Sequence, residues 1–146
     1  MFLGIDIGTS KTAAAIVNPN GVPRAISSNA HSADLPSLPG FSEQDALVLL
    51  QSAWTAVRAL PRDLRRSLRG VGVTGQMHGV VILDPGGEPL THLITWRDGR
   101  CNGGTFLQNL NERTGAQLRT GYGCATLAWF ASRGELPKEA DRKSVV

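Results

Sequence analysis

The reading of this chain turns on Val71-Gly72-Val73-Thr74-Gly75-Gln76-Met77-His78-Gly79-Val80-Val81-Ile82-Leu83. Val71 and Val73 alternate with small residues, and Val80 to Leu83 form a short β-branched run, so the pattern predicts strand, polar elbow, strand. Gly75 and Gly79 bracket an amide, a thioether and an imidazole, and two glycines let the backbone turn sharply there. The three side chains between them can read a small polar ligand at the end of a sheet. Taken alone, the stretch reads more simply as a hairpin corner with a half-buried histidine.

The same region holds a decoy. Gly70-Val71-Gly72-Val73-Thr74-Gly75 satisfies GxGxxG, a pattern that seats a pyrophosphate only where it follows a strand and opens a helix. Here it follows a helix end, is itself strand-like and leads into another strand. That order argues against nucleotide binding of the Rossmann type.

Toward the N-terminus, Phe2 to Ile7 is β-rich, Gly8-Thr9-Ser10 is a turn, and Ala13 to Val17 is a second apolar run. Asn18-Pro19-Asn20-Gly21 signals another turn, after which Val22 to Ala30 returns as a third strand, making an antiparallel meander. Asp6 ends the first strand, directly before Gly8-Thr9-Ser10-Lys11-Thr12. Amides beside a glycine, hydroxyls and a lysine can surround a phosphate, and a nearby carboxylate can hold Mg²⁺ through water. The competing reading is a polar hairpin turn bonded only to its own backbone. A Walker A loop is not formed: Ser10 stands where a glycine must precede the lysine, and the residues after Thr12 are β-like rather than helical.

His31 to Phe41, with Pro36, Pro39 and Gly40, reads as a loop. Ser42 is expected to open a helix, with Asp45 a near-match to a capping box. Ala46, Leu47, Leu50, Ala53, Trp54, Val57 and Leu60 recur at helical spacing, which predicts one apolar face with Trp54 in the core, ended by Pro61. Strands, then a helix, then the strand at Val71 is an α/β order. Arg62, Arg65, Arg66 and Arg69 suit a solvated helix C-terminus.

Beyond Leu83, Asp84-Pro85-Gly86-Gly87 is a turn and Leu90 to Trp96 resumes apolar character. Arg97-Asp98-Gly99-Arg100 comes next, and two readings stand open. In one, the arginines and Asp98 form a structural ion-pair cluster; in the other, Trp96 and Asp98 wall a sugar pocket, an aromatic face for C–H surfaces and a carboxylate for hydroxyls. Phe106 to Arg113 predicts a helix with Leu107 and Leu110 inward, stopped by Gly115. Ala125 to Arg133 predicts another, with Leu127, Phe130 and Trp129 inward and Gly134 as its stop.

At 146 residues, 41% hydrophobic and 18% charged, the chain suits a single folded domain with a real core. A net charge of +3 is too small to argue for nucleic acid. The 2 cysteines, Cys101 and Cys124, form no CxxC and suggest neither a disulfide framework nor a zinc site. Neither a signal peptide nor a membrane span is legible, which places the chain in the cytoplasm as an expectation.

Asp6-Ile7-Gly8-Thr9-Ser10, Gly75-Gln76-Met77-His78-Gly79 and Trp96-Arg97-Asp98-Gly99-Arg100 stand in order. Together they resemble the N-terminal part of an FGGY-family carbohydrate kinase. Gly121-Tyr122-Gly123-Cys124-Ala125-Thr126-Leu127-Ala128-Trp129, with Thr95-Trp96 and Arg100-Cys101, looks most like the sedoheptulokinases of that family, the xylulokinases coming next.

This resemblance implies an α/β fold of the ribonuclease H-like, actin and hexokinase type, two such domains holding ATP and sugar between them. It implies ATP-dependent phosphorylation of a ketose at a terminal primary hydroxyl, with Mg²⁺. Asp6 would organise Mg²⁺, and Gly8, Thr9, Ser10 and Lys11 would approach the phosphates. Met77 and His78 would contact the ketose, with Gln76, Trp96 and Asp98 nearby.

The family's proton-accepting aspartate is not found: Glu112, Glu135, Glu139 and Asp141 come after the third motif in no matching context. The chain runs to Ser144-Val145-Val146 where relatives continue. The expectation is that residues 1–146 are the N-terminal part of the first domain, its remainder and the second domain being absent. That leaves an incomplete kinase with a small ketose as its ligand and no nucleic acid or membrane partner. The alternatives are xylulokinase-type specificity or a non-catalytic sugar-binding fragment.

Overall fold

The computed structural model describes residues 1–140. Asp141 and Ser144-Val145-Val146 lie outside the described residues. The chain forms two compact units, one of Met1–Ala33 with Leu47–Gln76, the other of Asp34–Ala46 with Met77 onward.

The first unit is a four-stranded sheet with a helix. β1 (Phe2–Ile7) pairs antiparallel with β2 (Lys11–Val17), and β2 antiparallel with β3 (Pro23–Ala30), which is the meander that the turn signals predict. A two-residue β4 (Glu43–Gln44) belongs to the second unit, and α1 (Ala46–Ala59) and α2 (Arg62–Arg66) come after it. β5 (Gly70–Gly75) then joins the open side of β1 in parallel, giving the order β3-β2-β1-β5. A parallel neighbour cannot be reached by a hairpin, so the chain crosses back through α1. The GxGxxG stretch is therefore an edge strand, and no helix follows it.

Alternation along the strands sends Leu3, Ala14 and Ile16 to one face, where they bury with Ala56 and Leu60 as the core of this unit. Asp6 lies on the other face, in register with Ala13 on β2 and Thr74 on β5. Ser27 Oγ donates to the Ala56 carbonyl, and Asn29 Nδ2 donates to Ser52 Oγ at 3.1 Å, so β3 and α1 are also tied by polar contacts.

Two expectations about α1 are corrected. The helix does not start at Ser42. Glu43 and Gln44 are instead extended and pair with β6 (Leu93–Ile94), and Gln44 is wholly buried there. The buried face is Leu49, Ser52, Ala53 and Ala56, so Trp54, expected in the core, is 52% exposed. Mostly small residues fill the buried face, and the large side chains of Leu47, Leu50 and Trp54 stay exposed. Arg62, Arg65 and Arg66 lie in α2 itself and Arg69 after it, and Arg65 Nε donates to the Leu60 carbonyl at 3.1 Å, a cation on the end of the preceding helix.

The second unit is built on short pieces. Val80 to Leu83, expected as a strand, makes only isolated bridges, Val80 to Ile94 and Leu83 to Pro89. The ladder fails between them for a local reason. Pro89 has no N–H to give, and the Ile82 N–H donates to the Thr91 hydroxyl at 3.0 Å rather than to a carbonyl. α3 (Phe106–Thr114) and α4 (Gly123–Arg133) complete the unit, ending at Gly115 and Gly134, both left-handed as their stop signals predict. Leu107, Leu110, Leu127, Trp129 and Phe130 are half-buried. Among the described residues no helix is long and apolar enough to cross a membrane.

Candidate functional site

In the first unit the β1–β2 turn is held tightly. The Gly8 N–H donates to the Lys11 carbonyl at 3.0 Å, and a Cβ at Gly8 would lie 2.9 Å from that same oxygen, so only glycine fits. His31, at the end of β3, grips the turn twice: its N–H donates to the Ser10 carbonyl at 3.1 Å, and its Nε2 lies 3.1 Å from the Gly8 carbonyl. Asp6, Ser10 and Lys11 are exposed, while Gly8 and Thr9 are half-buried. The turn thus presents a carboxylate, a hydroxyl and an ammonium to solvent from one strand end.

Gln76 belongs with this turn. Its N–H donates to the Ile7 carbonyl at 3.0 Å, and its Oε1 accepts from the Thr9 hydroxyl at 3.2 Å. Parallel pairing of β5 with β1 carries the residue after Gly75 to the end of β1, which is why Gln76 meets Thr9.

The oxygen-rich donor set at this turn suits a hard cation held through water. Among the described residues no group of three or more His, Cys, Asp or Glu side chains could hold a metal ion. The exposed Asp6 carboxylate at this strand end is chemically suited to a hydrated hard cation.

In the second unit, Met77 is 71% exposed and His78 is exposed with φ +63, a left-handed backbone that non-glycine residues seldom adopt. The His78 ring stacks on Tyr122, with centroids 4.2 Å apart and planes 13° from parallel. Trp96 is 49% exposed. Met77, His78 and Trp96 thus present a thioether, an imidazole and an indole at the surface of one unit.

Asp98 does not join them. Its side chain is wholly buried, and Oδ1 accepts from Arg100 N at 2.9 Å and Arg100 Nε at 2.7 Å. Oδ2 accepts from Ser42 N at 2.8 Å and Arg100 Nη2 at 3.0 Å. A carboxylate offers about four acceptor positions, and all are taken. Of the two readings open in the sequence, this geometry is that of the structural ion pair, and it leaves no lone pair for a sugar hydroxyl.

Arg100 extends the cluster. Its Nη2 meets Glu43 Oε1 at 2.7 Å, and its guanidinium lies 4.6 Å from the Phe41 ring centre and 5.2 Å from that of Phe130. Burial disfavours the cation, but hydrogen bonds to Asp98 and Glu43 outweigh it and hold the guanidinium above its ordinary range. Burial likewise pushes Glu43 up, and bonds from His92 and Arg100 overcome it, leaving the carboxyl below its ordinary value. Neighbouring Cys101 is buried and its thiol is pushed up to about 11, first by burial and then by the Asp98 charge.

Sequence reasoning missed His31 and Tyr122. His31 carried no motif and its role depends on β3 returning to the turn. Tyr122 lay in a stretch noticed only for its resemblance.

Comparison with known proteins agrees with the topology. The family model of the FGGY carbohydrate kinases, N-terminal domain, matches residues 1–142. Human sedoheptulokinase is 35% identical over 99% of this chain, which spans 36% of that relative's length. A xylulose kinase of Klebsiella pneumoniae is 38% identical over 69% of this chain and 21% of its own. Among solved structures, a xyloylose kinase from Brucella ovis superposes with a TM-score of 0.78 at 28% identity, covering 90% of this chain and 29% of that one. The α/β sheet with its antiparallel meander and parallel fourth strand is thus the opening of the ribonuclease H-like fold shared by actin and hexokinase. The chain belongs to the FGGY family of carbohydrate kinases.

Proposed function

We propose that this chain supplies the phosphate-approaching turn and the sugar-contacting elbow of an ATP-dependent ketose kinase, with a sedoheptulose-like sugar as the preferred acceptor. The observation that carries the reading is the match to sedoheptulokinase over 99% of the chain, which takes in all four motifs. Phosphoryl transfer asks a protein chiefly for positioning and charge neutralisation. Asp6 serves the first unit as the carboxylate that orients hydrated Mg²⁺, and the Gly8-Thr9-Ser10-Lys11 turn approaches the phosphates. Mg²⁺, when bound with the nucleotide, neutralises phosphate charge. Met77 and His78 contact the ketose, with Trp96 offering an apolar face.

Proton removal from the attacking hydroxyl is a separate requirement, worth ~10²–10⁴-fold in rate. Asp98 cannot supply it while it is committed to Arg100 and Ser42. The 146-residue chain by itself is accordingly proposed to bind ketose without turnover.

Xylulose is the second acceptor to consider, because the Klebsiella pneumoniae relative is the more identical of the two over the shorter stretch that it matches, at 38%. The test is a thermal shift of the 146-residue chain with sedoheptulose, xylulose and glycerol at tens of millimolar, each with and without MgATP. Stabilisation equals RT ln(1 + [L]/Kd), so a ligand at a hundredfold excess over its Kd gains about 2.7 kcal/mol. Sedoheptulose is expected to raise the melting temperature most. Equal response to all three polyols, or to none, overturns the sugar assignment.

A further inference from the structure

Four consecutive residues, Thr120 to Gly123, touch both segments assigned to the sugar. Thr120 Oγ1 donates to the Asp98 carbonyl at 2.9 Å. Gly121 has φ +79, and a Cβ there would run into the Trp96 carbonyl oxygen, so the two backbones are in direct contact. The Tyr122 ring covers the His78 ring. A Cβ at Gly123 would come within 3.3 Å of the His78 carbonyl oxygen. Tyr122 is itself anchored, because its carbonyl accepts the Thr126 N–H at 3.0 Å in the first turn of α4, and Ala125 and Thr126 are buried.

His78 stands in contrast. It is exposed on a left-handed backbone, and the face of Tyr122 is the ring contact that it makes. An exposed imidazole that must order on binding loses rotamer freedom, and a side chain already ordered in the free protein does not. Parallel stacking orders a ring through its face and leaves its edge nitrogens available to a ligand.

We propose that Tyr122 is a positioning residue for ketose binding: its ring, fixed at the start of α4, holds the His78 imidazole in the orientation that meets the sugar. The proposal rests on the reading of His78 as a sugar contact. It assigns the work to the aromatic face of Tyr122 and not to its hydroxyl, so phenylalanine serves equally well.

The experiment uses the 146-residue chain with sedoheptulose as the probe, combining NMR of the His78 ring protons with calorimetric titration. In the wild type these protons are expected upfield of free histidine through the Tyr122 ring current. Tyr122→Phe is expected to keep that shift and the wild-type Kd. Tyr122→Leu, which keeps apolar bulk at the helix start, is expected to lose the shift and weaken binding by about 3- to 10-fold, the cost of ordering one side chain. Unshifted His78 protons in the wild type overturn the stack itself without recourse to any variant. Equal losses in Tyr122→Phe and Tyr122→Leu assign the effect to the hydroxyl and overturn the proposal. Unchanged affinity in Tyr122→Leu, with binding lost in His78→Ala, overturns the positioning role and keeps His78 as a contact. Unchanged affinity in His78→Ala overturns the sugar-contact reading and this proposal together.

Discussion

His31 Nε2 lies 3.1 Å from the Gly8 carbonyl oxygen across 23 residues of sequence, and its Nδ1 is buried without a partner. A carbonyl can only accept, so Nε2 carries the hydrogen and Nδ1 is the nitrogen turned inward. The β1–β2 turn is therefore held by a side chain that arrives from β3, not by its own residues alone. His31→Ala removes this bond and should cost about 1–2 kcal/mol in urea unfolding. His31→Gln, whose amide can still donate, should recover part of it. Equal stability of wild type and His31→Ala would mean that the turn holds without the histidine.

Arg100→Ala should be the most damaging single change in the second unit. It removes the Nε and Nη2 donors from a carboxylate that is wholly buried, leaving Asp98 only the main-chain N–H groups of residues 42 and 100. Removing one partner of a buried pair typically costs about 3–5 kcal/mol, roughly the stability of a marginal domain. Asp98→Asn discriminates the two roles considered for Asp98. A structural role predicts a lower melting temperature with ketose affinity of the folded protein unchanged, and calorimetry on the folded fraction would report the reverse for a direct contact.

Stability should fall at both ends of the pH range. Glu43 sits below 4.5 in the folded chain, so it stabilises above its unfolded value and that contribution disappears as pH drops through the folded one. His92 Nδ1 meets Glu43 Oε2 at 3.0 Å, and His92→Ala should shrink the acid dependence. Cys101 moves the other way, from 9.0 to about 11, so the protein gains from its neutral thiol below pH 9 and loses that gain between 9 and 11. Melting curves across these ranges give the slopes. Alkylation at pH 8 should modify the exposed Cys124 first and leave Cys101 until unfolding.

An open apolar face marks the first unit. Val71 and Val73 on the edge strand β5 are 60% and 65% exposed, and with Trp54, Leu50 and Ile5 they line a groove of about 310 Å³. An unpaired edge beside exposed apolar side chains favours self-association. Light scattering of the isolated chain should show mass rising with concentration. Val73→Lys should suppress it, because a charge on an edge strand opposes pairing with a second edge. A strictly monomeric wild type at all concentrations would contradict this.

The sequence by itself determined whatever depends on near neighbours. The Gly8-Thr9-Ser10 and Asn18-Pro19-Asn20-Gly21 turns, the glycine stops of α3 and α4, and the exclusion of GxGxxG all rest on a few adjacent residues and appear in the fold. The family, too, was legible, because four short motifs in order are rarer than any one of them. Tertiary structure alone decided how the remaining side chains are used. Whether Asp98 faces a sugar or an arginine depends on Ser42, 56 residues away, whose N–H fills its last acceptor position. Gln76 turns to Thr9 because β5 pairs in parallel with β1, and Trp54 stays half exposed while Ala53 and Ala56 are the side chains that α1 buries. A buried polar or bulky group takes whichever partner satisfies it at least cost, and that partner is set by long-range packing rather than by local pattern.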